Sequence, residues 1–203
     1  LPTANASPMI FTDHWQVLGR QQDIIGSQTR FTTWLWGHET QKLAQLVDLN
    51  RRTGSAVAWL PTNSVWQGSL NFAPGSWPLL ATRHGPLVQV AGFTIQPVGF
   101  QTVRAAGQAY GRALAANPWL PHFPMLLHHT QPRPTELGWV VEDNRGGRLL
   151  LPEKFTYGWH LLGQAGGTAS MTLFGVWNGR FLQPLTIQQN QQWQDIHIWR
   201  GVR

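Results

Sequence analysis

In His14-Trp15-Gln16-Val17-Leu18-Gly19-Arg20-Gln21-Gln22-Asp23-Ile24-Ile25-Gly26-Ser27-Gln28-Thr29-Arg30-Phe31-Thr32-Thr33-Trp34-Leu35-Trp36-Gly37, two runs rich in aromatic and β-branched residues flank a Gly-Ser pair. Such a pair suits a two-residue hairpin loop, because glycine takes the positive φ that a type II′ turn requires. Counting outward then gives each residue a partner: Ile24 faces Thr29, Asp23 faces Arg30, Leu18 faces Leu35 and Val17 faces Trp36. Opposite charges meet across the strands, and Trp34 covers Gly19, which has no side chain of its own. The run Gly37-His38-Glu39-Thr40-Gln41-Lys42 turns the chain into a third strand, Leu43 to Asn50. A helix over Asp13 to Ile25 with Thr12 as N-cap is the competing reading, and Gly19 in its middle would cost it about 1 kcal/mol.

A chain of 203 residues with 42% hydrophobic residues can bury a substantial core and is not disordered. Its 12 tryptophans assign much of the packing to large rings. Charged residues make up 12%, about half the usual share, so a surface covered by partners is expected. The net charge of +6 comes from nine acids against fifteen bases, with Arg51-Arg52 the one adjacent basic pair, and it forms no phosphate-tracking stripe. Cysteine is absent, which excludes disulfides and thiolate metal sites and fits a reducing, cytoplasmic compartment. No apolar run approaches the length of a membrane-spanning helix. The first residue is not Met, which suggests a chain that has been trimmed or belongs to something longer.

Residues 1 to about 12 read as a polar lead-in. Arg51 to Ser55 is a turn, and Ala56 to Leu60 a short strand stopped by Pro61. Val65 to Phe72 alternates with Trp66, Gly68, Leu70 and Phe72 on one face. Strands over Trp77 to Thr82 and Leu87 to Val98 follow.

The segments Trp15 to Arg20, Thr33 to Gly37, Leu46 to Leu49 and Phe72 to Leu79, in that order, resemble the region after the zinc module in bacterial SWIM zinc-finger proteins. Asn117-Pro118-Trp119-Leu120-Pro121 and Phe174 to Gly179 resemble the end of the same proteins, so about residues 12 to 188 are covered. The resemblance implies a protein often encoded beside a MoxR-type AAA+ ATPase and a von Willebrand factor A domain protein. The family's Cys-x-Cys and Cys-x-His metal site has no counterpart here, so its zinc binding is carried over to no residue.

Gln101 to Ala116 is the clearest helix: Val103, Gly107, Tyr110 and Leu114 form a stripe with Ala106 and Ala113, while Arg104, Gln108 and Arg112 recur every four residues on another side. Asn117-Pro118 ends it. Met125 to Thr130 follows as a strand, Gln131 to Pro134 as a stiff connection, and Leu137 to Glu142 as a strand returned by Asp143 to Gly147 into Arg148 to Leu151. Pro152 and Glu153 open a second short helix with Phe155, Trp159 and Leu162 on one face, closed by Gly166-Gly167. Asn178-Gly179 is a type I′ hairpin signal between Ser170 to Trp177 and Arg180 to Gln188, with Trp177 facing Arg180 and Val176 facing Phe181. Trp193 to Trp199 is a last strand. The expected fold is α+β and β-rich: antiparallel meanders and hairpins in two halves, 1–98 and 99–203, joined by the helix at about 101–116. One compact domain is the alternative.

Few residues carry chemistry. His122, His128 and His129 match no ligand spacing, and Asp195 with His197 lacks a nearby hydroxyl other than Thr186. Gly163 to Gly167 ends a helix, the wrong end for phosphate. No metal, cofactor or catalytic residue is assigned. The leading expectation is a non-catalytic interaction or scaffold module that contacts other proteins, including the two implied by the resemblance, through Arg104, Gln108, Arg112, Trp177 and Arg180. Nucleic-acid binding by scattered arginines and exposed tryptophans is the alternative, although the alternation points to tryptophans in the core. A hydrolase comes third.

Overall fold

The computed structural model describes residues 9–50, 60–75, 79–93, 95–153, 155, 158–164 and 170–196. The fold is α+β and β-rich, and the chain divides into two compact units, Leu1–Pro97 and Val98–Arg203. In the first, β1 (Met9–Ile25) and β2 (Gln28–Gly37) form the expected hairpin. Gly26 has φ +59° and Ser27 has no positive φ, as a type II′ turn requires. Ile25 pairs with Gln28, Asp23 with Arg30, and Gly19 with Trp34. Beyond Gly19 the expected register fails. Leu18 is an extra residue, and the pairs are Val17 with Leu35 and Gln16 with Trp36. The cause is that Val17 and Leu18 are adjacent, apolar and both fully buried. A regular strand sends neighbours to opposite faces, whereas a bulge inserts one residue and bends the strand.

That bend lets one long strand serve two neighbours. Trp15 to Ile25 pairs with β2, while Met9 to Gln16 pairs with β4 (Val65–Phe72). The expected polar lead-in therefore ends earlier, since Met9 already faces Phe72. Next to β2 lies β3 (Leu43–Asn50), then β5 (Leu80–Arg83), then β4, which returns to β1 and closes a five-stranded ring. The β3–β5 seam is parallel and the others are antiparallel. Inside the ring Trp15, Val17, Leu35, Leu46, Leu70 and Phe72 pack together, each worth about 1.5–3 kcal/mol of burial. Among the described residues of the expected Leu87 to Val98 segment, a short strand, β6 (Val88–Val90), is all that forms. The expected turn at Arg51 to Ser55, Ala56 to Trp59 of the following strand, and Trp77 lie outside the described residues. Leu60 is buried and is in no strand.

The second unit begins with α1 (Val103–Ala116), whose N-cap Thr102 accepts from the Ala105 amide. Ala106, Ala109 and Ala113 are its buried residues, and Gly107, expected on that stripe, is exposed. A six-stranded sheet follows in the order β12-β11-β10-β7-β8-β9. Its strands are β7 (Phe123–Thr135), β8 (Gly138–Asp143), β9 (Arg148–Leu150), β10 (Met171–Trp177), β11 (Leu182–Gln189) and β12 (Gln192–Asp195). Gln131 to Pro134 is strand, not a connection. Among the described residues β10 pairs with β7 only as far as Thr130, so no described ladder needs the missing N–H of Pro132 or Pro134.

The second helix, α2, spans Gly158–Gln164 and not Pro152 onward, with Leu161 buried and Trp159 at 68% exposure. Between β10 and β11 the loop runs over Asn178 to Phe181, so Trp177 faces Leu182 and Val176 faces Gln183, contrary to the two-residue turn expected. The Asn178 side chain accounts for this, accepting from the amides of Arg180 and Phe181 at 2.9 and 2.7 Å. The last strand stops at Asp195, and the rest of its expected length lies outside the described residues apart from Ile196.

Candidate functional site

Each unit buries one carboxylate at 4–5% exposure, Asp13 in the first and Asp143 in the second. Asp13 accepts from the amides of His14, Glu39 and Thr40 and from the Thr40 hydroxyl. It fixes the turn between β2 and β3, where a Cβ on Gly37 would collide with the carboxylate. Burial pushes its carboxyl up, but these bonds win and hold it below the ordinary 3.8. Asp143 accepts from the amides of Val103, Arg145 and Gly147, so it caps α1 and the β8–β9 turn at once. Burial again opposes and the bonds again prevail, lowering the pKa.

The histidines do not converge. Among the described residues no three of His, Asp and Glu are placed to hold a metal ion. His128 is half-buried, and its Nδ1 lies 3.0 Å from the hydroxyl of Thr172, a partner 44 residues away that no local sequence signal marks. Burial and the neighbouring His129 lower its pKa, which favours the neutral form. A base beside a hydroxyl is half of a nucleophilic centre, yet no carboxylate is recorded on the ring among the described residues. His129 is exposed, with φ +54°, and His122 is half-buried. Thr186, the hydroxyl nearest Asp195 in sequence, does face it across β11 and β12 but is fully buried. His197 lies outside the described residues.

The predicted interaction residues fall on two elements of the second unit. Arg104, Gln108 and Arg112 are exposed on α1. Trp177 is half-buried, and Arg180 stacks over the Phe181 ring at 4.7 Å, not over Trp177. Arg180 also approaches Glu153 at 3.6 Å, with both side chains 75% exposed, an ion pair of little energetic weight. Tyr110 connects the two elements, because its hydroxyl lies against Gly179.

Of the described tryptophans, Trp15, Trp34, Trp36 and Trp193 are buried, as the alternation indicates, and Trp66, Trp139 and Trp177 are half-buried. Trp119 and Trp159 are exposed at 89% and 68%. Trp159 stands edge-on to Trp139 with ring centres 5.1 Å apart, and Leu137 is 81% exposed. Sequence reasoning did not select Trp119, Leu137 or Trp159 as surface residues, because period and propensity do not distinguish an exposed ring from a buried one at a turn or helix end.

No helix among the described residues is long and apolar enough to cross a membrane. The chain matches no family model, no curated protein and no solved structure.

Proposed function

We propose that the chain is a non-catalytic module that docks with other proteins in the cytoplasm. The observation that carries this reading is the exposure of Trp119, Leu137 and Trp159 on a chain with few charges. Exposed tryptophans are the residue type that anchors protein interfaces, and both buried carboxylates are committed to turns and a cap. The resemblance to the region after the zinc module of SWIM proteins supplies two partners to test, a MoxR-type AAA+ ATPase and a von Willebrand factor A domain protein. Co-expression with each, followed by size-exclusion chromatography, is expected to give a complex that survives the column. Elution at monomer size against both overturns the reading.

A second reading, nucleic-acid binding, is favoured by one specific feature. The five-stranded ring of the first unit is the architecture of barrels that bind oligonucleotides and oligosaccharides, an analogy of fold and not of site. It predicts an affinity for single strands that falls steeply with salt. Absence of binding at low salt removes it.

A further inference from the structure

The outer face of α1 carries two features that its own unit does not explain. Arg104 and Arg112 are exposed, as is Gln108 between them, and the spacing i, i+4, i+8 stacks the three along one side of the helix. None of the three has a hydrogen bond or ion pair with any described residue. The helix sequence Val103–Ala116 contains no acid, so no i, i+4 partner is available, and Arg104 in the first turn faces the positive end of the helix dipole.

Gly107 and Gly111 lie on the exposed side as well, and a Cβ at either would meet nothing within 4 Å. Neither has a positive φ, so neither the turn geometry nor the packing of this unit calls for glycine. Glycine inside a helix weakens it. Unpaired charge and unneeded flatness both find a reason when a second backbone lies on this face.

We propose that the outer face of α1 docks an acidic helical segment of a partner protein. Carboxylates one turn apart meet Arg104 and Arg112, and the glycines let the two backbones approach closely. This rests on the protein-docking reading above and names the face and the chemistry of its occupant. Charge complementarity fixes the sign of the partner. Magnitude decides against nucleic acid: two arginines neutralise about two phosphates, a salt slope of only about −2, and a phosphate backbone gains nothing from a flat helix. Trp119, just past the end of α1, is an exposed apolar anchor of the type that carries interface energy.

The probe is a synthetic helical peptide with glutamates at i, i+4 and i+8 on an alanine and leucine background, added to the full chain at low salt. Amide chemical shifts locate it, and fluorescence anisotropy gives its affinity. Shifts concentrated in α1, binding at least tenfold weaker for the Arg104→Ala/Arg112→Ala variant, and loss of binding when the peptide's glutamates become glutamines are expected. The Gly107→Ala/Gly111→Ala variant melts at a higher temperature yet binds at least threefold more weakly, a split that a purely structural role would not produce. Unchanged binding in either variant, shifts elsewhere, or an oligonucleotide that displaces the peptide from α1 overturns the proposal. A co-expressed complex that persists in Arg104→Glu/Arg112→Glu defeats this face and leaves the docking function standing. No complex and no peptide binding with the unaltered chain defeats both.

Discussion

One oxygen of Asp13 holds Thr40 twice: Oδ2 accepts from the Thr40 amide at 2.8 Å and from its hydroxyl at 2.6 Å. Asp13→Asn keeps the shape but turns an all-acceptor group into one that must point a donor at these donors. A loss of roughly 2–3 kcal/mol is expected from the first unit, the range for buried hydrogen bonds to a charged group. Chemical denaturation checks it. A change below 0.5 kcal/mol would mean the turn is held by other contacts.

Acid acts on the same bonds. The folded pKa of Asp13 and of Asp143 lies below the ordinary 3.8. Their stabilisation is therefore fully present above that value and is lost as pH falls through the folded pKa. A melting temperature followed from pH 6 to pH 2 is expected to fall mainly below about pH 4. Asp13→Asn should flatten that fall.

His128 predicts an earlier decline in the second unit. Its pKa is lowered by burial and by His129, from the ordinary 6.5. Above 6.5 both states are neutral and stability is full. Below it the unfolded chain takes up the proton first, so stability declines until the folded pKa is passed. His128→Gln should remove the decline that sets in as pH falls below 6.5, measured by thermal unfolding.

Gly158 sits where Trp139 needs room, since a Cβ there would fall inside the indole ring. Gly158→Ala should cost about 1–3 kcal/mol by overpacking. Trp139→Leu should suffer much less from the same change, so the double-mutant cycle is expected to be strongly non-additive. Additive losses would place the ring elsewhere.

Leu18 tests the bulge. Leu18→Ala removes a fully buried side chain and should cost about 2–5 kcal/mol. Deleting Leu18 would bring the pairs Val17 with Leu35 and Gly19 with Trp34 into regular succession and keep every facing, but it removes the bend that lets β1 serve both β2 and β4, so it should cost at least as much. A deletion variant that folds with native stability would show that the bulge is dispensable.

The first hairpin was legible because its turn is local: Gly26-Ser27 sets the register, and that register holds until Leu18. The bulge was not legible, since two adjacent buried residues look the same in sequence as a regular strand crowded on both faces. At Asn178 the local signal pointed to a hairpin, but a side-chain oxygen that bonds two amides chose a longer loop. Pro132 and Pro134 read as a break because the sequence does not reveal that the described pairing of β7 with β10 stops at Thr130. Of the candidate site, the exposed row on α1 followed from helical period, whereas the contact of His128 with Thr172 required the sheet.

Among the described residues, four seams of the first unit's ring are long ladders or carry three pairs, but β3 and β5 meet at just two, Gln45 with Leu80 and Leu46 with Ala81. That short junction is the clasp of the bracelet. Parting it would leave a curled ribbon whose other ladders stay whole, so it is the cheapest breathing motion open to this unit. The Gln45 amide, which donates to the Leu79 carbonyl across this junction, should exchange with solvent deuterons well before those of Val17 and Leu35, and a molecule trapped while ajar would present raw edges to its neighbours.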